Sequence, residues 1–361
     1  MSERPISVTC YITPAHDLYH LSCILTGLCE LASEGRIELR FEPVLEDTRK
    51  PLEAIAMRAV AVWADQATDI VFEVYDRSDA FEMPLLERCD IYFKRNFYEP
   101  EIRKLDRKCQ QKVVPFGFNY ACRSMAGEKR LLAADLVSRD SLDRYLLERP
   151  FESFEQSPTI AVSPCIVFQT RAWAPESTSD NADEVNDSRA RIIRELRKAF
   201  RGRFHGGFVH SDFASERYPE LLAEHSSEES AYVELVKGNL IGISTHGLHY
   251  SVPFKVPEYL AGSIAVVSEP LRNGFPVPFV EGQHFLAFRE PEECVAQCDR
   301  ILSNAHLASE LRQASWQYYR SEIRPAQHVA SLLERAFLAP PSSRTIRIKS
   351  AIQRNDGSRE T

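Results

Sequence analysis

The chain has 361 residues, 44% of them hydrophobic and 27% charged, with a formal net charge of −8. That length suits two domains of ordinary size, each able to bury a core, and the composition excludes a disordered or fibrous chain. The acidic balance argues against a general nucleic-acid binder, whose footprint is basic, yet leaves room for a local basic pocket.

Residues 6–13 (ISVTCYIT) read as a short strand. A helical stripe follows through Leu21, Ile24, Leu25, Leu28 and Leu31, and Gly35 stands where a helix C-cap glycine belongs. Residues 37–44 read as the next strand, completing a β-α-β unit that favours a parallel sheet. Further along, residues 51–66 read as a helix, 68–75 as a strand, 90–97 and 112–120 as two more strands, and 127–147 as one charged amphipathic helix. The stretch from Pro150 to Pro158 is the expected domain boundary.

A second alternation begins with a strand over 159–170. Residues 174–188 are polar and acidic and read as a mobile surface loop. A basic helix over 189–201, a strand and turn over 202–209, a helix over 229–238 and a strand over 239–245 come next. A short helix over 257–262, strands over 264–269 and 284–288, and helices over 291–303, 307–320 and 325–338 complete the pattern. The tail from Pro340 is polar and expected to be disordered. The fold class is thus α/β: two Rossmann-like β/α/β domains facing a central cleft. The expected division is an acceptor-side domain over 1–150 and a donor-binding domain over 151–325. A final helix over 326–339, able to cross back to the first domain, and a flexible tail over 340–361 follow.

Nine scattered cysteines, an odd number, read as buried free thiols in a reducing compartment. Cys294 and Cys298 lie four apart with no flanking histidine or cysteine, so no metal site is expected. The start MSERPISVTC lacks the pattern of a signal peptide. No run approaches the roughly 18 apolar residues of a spanning helix. A cytoplasmic protein is expected, with peripheral membrane contact left open.

The densest constellation is residues 244–270, STHGLHYSVPFKVPEYLAGSIAVVSEP. Pro257 suits a first helical position, and the dipole of a helix starting there favours an anion near Lys255. Glu258 lies in the same turn. An ammonium group beside a helix N-terminus can bind a pyrophosphate, and a carboxylate can accept hydrogen bonds from both ribose hydroxyls. The plainer reading of Lys255 and Glu258 is a solvated surface pair at a spacing of three.

The run Pro253, Lys255, Glu258, Tyr259, Leu260, Ala261, Gly262, followed by IAVVS, resembles the donor segment of GT-B glycosyltransferases, especially the retaining families akin to glycosyltransferase group 1. The resemblance extends in order over roughly 159–338. It implies transfer of a sugar from a nucleotide-diphosphate sugar of UDP or GDP type to an acceptor, with retention and without a metal or other cofactor. Lys255 would face the donor phosphates, Glu258 would bind the ribose, and Arg171 in VFQTRAW would lie near the diphosphate. His205 in GRFHGGF would lie near the base. Retaining members carry a glutamate eight residues before the ribose glutamate, and here that place is Tyr250. Its part would pass to His246, Gly247, His249 or Ser251. The acceptor (a glycan, a lipid-linked or small molecule, or a protein) is not legible, and no nucleic acid is expected.

In the first domain, His16 follows the first strand and could act as a base or a sugar contact, although His16 or Asp17 could equally cap the helix. Lys94, Arg95 and Asn119 are candidates for an acceptor-side rim, against the plainer reading that they are solvated or structural. Catalytic roles are assigned to His16, Arg171 and Lys255. A nucleotide-sugar epimerase on the same fold, or a non-catalytic nucleotide-sugar-binding module, are the alternatives. No GxGxxG follows the first strand, which disfavours an oxidoreductase.

Overall fold

The computed structural model describes residues 5–44, 55–64, 66–175, 181–224 and 228–338. Two sheets, one from each half of the chain, stand on either side of a cleft. The first contains β1 (Ile6–Ile12), β2 (Ile37–Pro43), β3 (Ala56–Trp63), β4 (Gln66–Glu73), β5 (Ile91–Lys94) and β6 (Val113–Pro115), in the order β2-β1-β3-β4-β5-β6. The second contains β7 (Ser163–Thr170), β8 (Phe204–Phe208), β9 (Asn239–Ser244), β10 (Ala265–Ser268) and β11 (Phe285–Ala287), in the order β11-β10-β9-β7-β8, all parallel. The helices around the first sheet are α1 (Leu18–Ser33), α2 (Met83–Arg88), α3 (Glu99–Ile102), α4 (Arg107–Gln110), α5 (Met125–Ala134) and α6 (Arg139–Leu147). Those of the second half are α7 (Ala182–Ala199), α8 (Asp212–Arg217), α9 (Glu229–Gly238), α10 (Lys255–Ala261), α11 (Pro291–Ser303), α12 (Ala305–Tyr318) and α13 (Pro325–Leu338).

The opening β-α-β unit forms as its pattern predicts, with β1 and β2 parallel. Asp17 caps α1 by accepting from the Tyr19 amide at 3.0 Å. Gly35 leaves the helix at φ +70°, a conformation that costs other residues more.

Five expectations are corrected. Within the expected helix over 51–66, residues 51–54 and 65 lie outside the described residues, and 56–63 form β3, antiparallel to both β1 and β4. Alanines suggest helix there, but Met57, Ala59 and Ala61 alternate as buried residues with the less buried Arg58, Val60 and Val62, the period of a strand. Arg58 then binds Asp69 of β4 at 2.6 Å and lies 4.6 Å over the Tyr11 ring of β1. The strand expected over 112–120 stops at Pro115, and Gly117 follows at φ +100°. The single helix over 127–147 is two helices, because Asp135 is left-handed (φ 51°) and Ser138 caps a new start. The polar stretch 174–188 is largely helix: α7 begins at Ala182 and buries Val185 and Asn186. The amide of Asn186 holds both backbone groups of Trp173, at 2.9 and 2.7 Å. Residues 176–180 lie outside the described residues, as does the tail beyond Leu338. Finally, α10 starts at Lys255, two residues before the expected Pro257.

Helix α13 packs on the first domain. Val329, Leu332, Leu333 and Ala336 join Leu21, Ile24, Leu25 and Leu28 of α1 in one apolar core. Gly27 permits this approach, since a Cβ there would stand 2.3 Å from the Pro325 carbonyl oxygen and 2.5 Å from Val329 Cγ2. Gly27→Ala gains about 1 kcal/mol of helix propensity but forces α13 outward. We expect a net loss of about 1–3 kcal/mol in denaturant unfolding. Wild-type stability or better in this variant would contradict the packing described.

Candidate active site

In open α/β sheets, ligands gather beyond the carboxyl ends of the strands, at the point where strand order reverses. Both sheets present such ends to the cleft. In the first domain, α1 follows β1 and brings Tyr19 and His20. Asp76 follows β4, Arg95 follows β5, and Arg149 follows α6. In the second domain, β7 ends at Gln169 and Thr170 with Arg171 next, and α7 contributes Arg189. The turn after β9 contributes Gly247 and Ser251, and α10 contributes Lys255 and Glu258. Together they line a cavity of about 590 Å³. It sits over the crevice between β7 and β9, where the order of the second sheet reverses.

The cavity is cationic: Arg95, Arg149, Arg171, Arg189 and Lys255 face Asp76, Glu148 and Glu258. Arg189 is buried and donates to Thr245 Oγ1 (3.1 Å) and to the carbonyls of Arg171 (2.7 Å) and His246 (3.0 Å). Burial lowers even this guanidinium to about 10, against the opposing charge of Glu269. Lys255 donates to the Gln169 carbonyl (3.1 Å) and lies 4.9 Å over the Phe168 ring. Burial first, then Arg189 and Arg171, lower its ammonium to about 7 despite the nearby Glu258. Glu258 accepts from the Tyr232 hydroxyl at 3.0 Å and stands 3.7 Å from Arg149. Burial outweighs these partners and raises its carboxyl above the usual range. An anion entering here would restore charge to Lys255 and meet donors already fixed in place.

Arg171, Gly247, Ser251, Lys255, Glu258 and Arg95 line the cavity, as the sequence suggests. The amides at the mouth of α10 offer less than expected. Val256 N–H is bound to the Pro253 carbonyl (3.2 Å), Pro257 has none, and Glu258 N–H reaches Phe254 O at 3.4 Å. Side chains thus supply most of the positive charge.

The remaining candidates lie elsewhere. His16 is 4% exposed; its Nδ1 accepts from the Thr13 amide (3.1 Å) and its Nε2 lies 3.3 Å from the Ala56 carbonyl. Burial lowers it to about 4, so it is a neutral structural ring rather than a base in the cleft. Lys94 is fully buried against Glu73 and the carbonyls of Arg77 (3.0 Å) and Ala80 (2.7 Å), because it is an inward-facing residue of β5. Asn119 is buried and donates to the His20 carbonyl at 3.0 Å, bracing α1 from behind. His205 lies within β8 opposite Val167 and does not line the cavity. His246 lies under the cavity floor. Its Nδ1 is 3.0 Å from Glu269 and its Nε2 2.7 Å from the Pro270 carbonyl. Burial opposes its charge, but Glu269 outweighs burial and raises it. His249 and Tyr250 are both left-handed, at φ 57°. The Tyr250 hydroxyl turns away to Glu184 at 3.0 Å.

Sequence reasoning missed Arg189, Arg149, Tyr19 and His20. Arg189 stands at the start of the expected basic helix over 189–201, and its place in the second turn of α7 was hidden because the acidic stretch before it reads as a loop. His20 lies in the segment TPAHDLYH, where it follows Asp17 by three and so shares its helix face. Among the described residues, no group of three His, Cys, Asp or Glu side chains is placed to hold a metal. No helix among them is long and apolar enough to cross a membrane.

Residues 189–334 match a family model described as Glycosyl transferase-like. No curated protein matches the chain. Among solved structures, the chain is similar to the C-terminal domain of a glycosyl transferase group 1 family protein from Francisella tularensis (11% identity, 44% of this chain and 84% of that one, TM-score 0.30). It is also similar to an alpha1,3-fucosyltransferase (10% identity, 94% and 92%, TM-score 0.42). A third likeness is to a candidate UDP-N-acetylglucosamine 2-epimerase from Listeria monocytogenes (9% identity, 95% and 100%, TM-score 0.42). The family match bears out the glycosyltransferase reading of the 253–267 motif: the second domain is glycosyl transferase-like.

Burial and the neighbouring guanidinium groups hold Lys255 near 7, so it is mostly neutral above that pH, and a diphosphate bound beside it would favour its charged form. UDP affinity is therefore expected to fall as pH rises from 7 to 9, by up to about tenfold per pH unit, the limit for one coupled proton. Titration calorimetry across that range checks this. The slope should flatten in Lys255→Met, and a pH-independent wild-type affinity would contradict the assignment.

Proposed function

We propose that this glycosyltransferase-like chain moves a sugar from a nucleotide-diphosphate sugar, of UDP or GDP type, to an acceptor bound on the first-domain side of the cleft. The observation that carries the reading is the cluster of Lys255, Arg171 and Arg189 in one cavity with Glu258. The cations suit a diphosphate. Glu258 has one oxygen on Tyr232 and the other 3.7 Å from Arg149, which suits a pair of ribose hydroxyls within reach.

During transfer, charge grows on the leaving diphosphate. Fixed cations in a poorly hydrated cleft stabilise that charge more than water would. Arg189 needs no reorganisation, since three hydrogen bonds already hold it. Lys255 gains its proton as the anion arrives. These side chains can serve without a divalent ion, which supports metal-independent transfer. The resemblance implies retention, but the glutamate associated with that course is Tyr250 here, and its hydroxyl is engaged by Glu184. Support for either stereochemical course has to come from the acceptor side. The acceptor itself is a glycan, lipid-linked molecule, small molecule or protein, and the location of the reaction is proposed as cytoplasmic.

Calorimetry with UDP and GDP tests the reading. One of the two should bind, and Lys255→Ala and Glu258→Ala should each weaken it by about 10- to 100-fold, the value of a hydrogen bond to a charged group. Failure of both nucleotides to bind the wild type would overturn it.

A further inference from the structure

Resting on the reading of the cleft as a nucleotide-sugar site, we propose that Arg149, in the segment that joins the two domains, is the positioning residue that keeps Glu258 an anion with one oxygen open, and so makes the site select ribonucleotides over deoxyribonucleotides. A carboxylate accepts two hydroxyl protons well only when ionised, because a protonated carboxyl carries an O–H of its own. Glu258 stands where ionisation is costly, with 12% of its side chain exposed. Burial raises its carboxyl, opposed by Arg149 first, then by the Tyr232 hydroxyl and Lys255. Lys255 sheds its own proton near 7 and so gives little charge above neutrality. Tyr232 of α9, Tyr19 of α1 and Tyr259 of α10 also stand near Glu258, and burial first of all raises each of these hydroxyls and keeps them neutral. Guanidinium groups keep their charge in proteins. The charge that sustains Glu258 therefore comes from Arg149.

The geometry fits that task. Arg149 Nη1 is 3.7 Å from Glu258 Oε1, near enough for its charge to act and beyond the reach of a hydrogen bond, so Oε1 keeps its lone pairs for a ligand. Oε2 takes the Tyr232 hydroxyl at 3.0 Å and has a second lone pair left. The guanidinium lies 5.2 Å over the Phe154 ring and 5.2 Å over the Tyr232 ring, whose centroids are 6.0 Å apart. Its side chain is 23% exposed, so solvent screens its charge only in part. The backbone is fixed from the first domain: the Arg123 amide donates to the Arg149 carbonyl (2.8 Å), and Arg123 Nε donates to that of Glu148 (2.5 Å). Arg149 acts through Glu258 rather than by touching the reacting atoms.

The consequence is selectivity. A ribose places both hydroxyls on a charged, largely buried acceptor. A deoxyribose leaves that acceptor short of a partner, which costs more than losing a bond between neutral groups. The donor class is then ribonucleoside diphosphate sugars, with deoxyribonucleoside diphosphate sugars rejected.

Titration calorimetry on the full-length protein tests this, with UDP, GDP and their 2′,3′-dideoxy counterparts between pH 6 and 9. Lys255, the phosphates and the base titrate alike within each pair, so the affinity ratio within a pair isolates Glu258. The wild type should prefer the ribonucleotide of the base it binds by about 10- to 100-fold. In Arg149→Met that preference should shrink by about tenfold at pH 6 and return as pH rises to 9, because a carboxyl raised further by the loss of its cation is neutral at low pH and an anion at high pH. Arg149→Lys should restore part of the preference at pH 6, and Glu258→Gln should lack it at every pH. No preference in the wild type, a wild-type ratio in Arg149→Met at every pH, or a loss in that variant that no pH restores would overturn the proposal and leave the donor site standing. Failure of the wild type to bind either nucleotide would instead overturn the reading on which it rests.

Discussion

The second domain is organised around a buried guanidinium. Arg189 lies beneath the cleft with one nitrogen on each of three groups: the carbonyls of Arg171 and His246 and the hydroxyl of Thr245. These groups lie just beyond the ends of β7 and β9, so a single side chain ties together the two strands between which the crevice opens. Burying a charge is costly unless it is paired or fully hydrogen-bonded. The hydrogen bonds here go to neutral acceptors, and the nearby carboxylate of Glu269 is shared with His246 and the Ser188 hydroxyl. The positive potential therefore reaches the cavity, where it adds to burial in lowering the Lys255 ammonium and invites an anion.

The joint between the domains follows from the same loop. Residues 247–252 carry two consecutive left-handed residues, His249 and Tyr250, a conformation that costs of order 1–3 kcal/mol per residue. The turn is held because the first domain grips it: Arg95 donates to the Val252 carbonyl (3.1 Å) and Asn96 to that of His249 (3.3 Å). Arg272 adds a bond to the same carbonyl (2.9 Å) while its guanidinium lies between the rings of Tyr98 and Tyr250. The loop that would contact a donor sugar is thus also part of the contact between domains, beside the apolar cluster in which Phe118 stacks on Phe275. Arg95 serves both, since it lines the cavity and stacks on Phe254.

Much of the second domain was legible because its elements are regular. Helices over 229–238, 291–303 and 325–338 appear with the bounds their periodicity predicts. The P-x-K-x-x-E run led to the cavity wall directly. The first domain was harder for physical reasons. The alanines of β3 match both periods, and only pairing to β1 and β4 decides between them. Lys94 and His16 carry functional side-chain chemistry but sit at inward-facing positions, which strand and loop registers decide and local sequence does not. His20 was hidden for the opposite reason: its spacing from Asp17 was visible, but which face of α1 looks into the cleft depends on α5, α6 and Asn119 behind it. Arg189 required knowing that an acidic, polar stretch begins a helix.

The account rests on the cavity at β7, β9 and α10 being a nucleotide-diphosphate site. A crystal structure of the protein soaked with UDP and with GDP tests this most directly. The diphosphate of one of them should lie within hydrogen-bond distance of Lys255 Nζ and the Arg171 guanidinium, with both ribose hydroxyls on Glu258. A nucleotide bound elsewhere on the protein, or one that leaves Lys255 and Glu258 without contact, would contradict it.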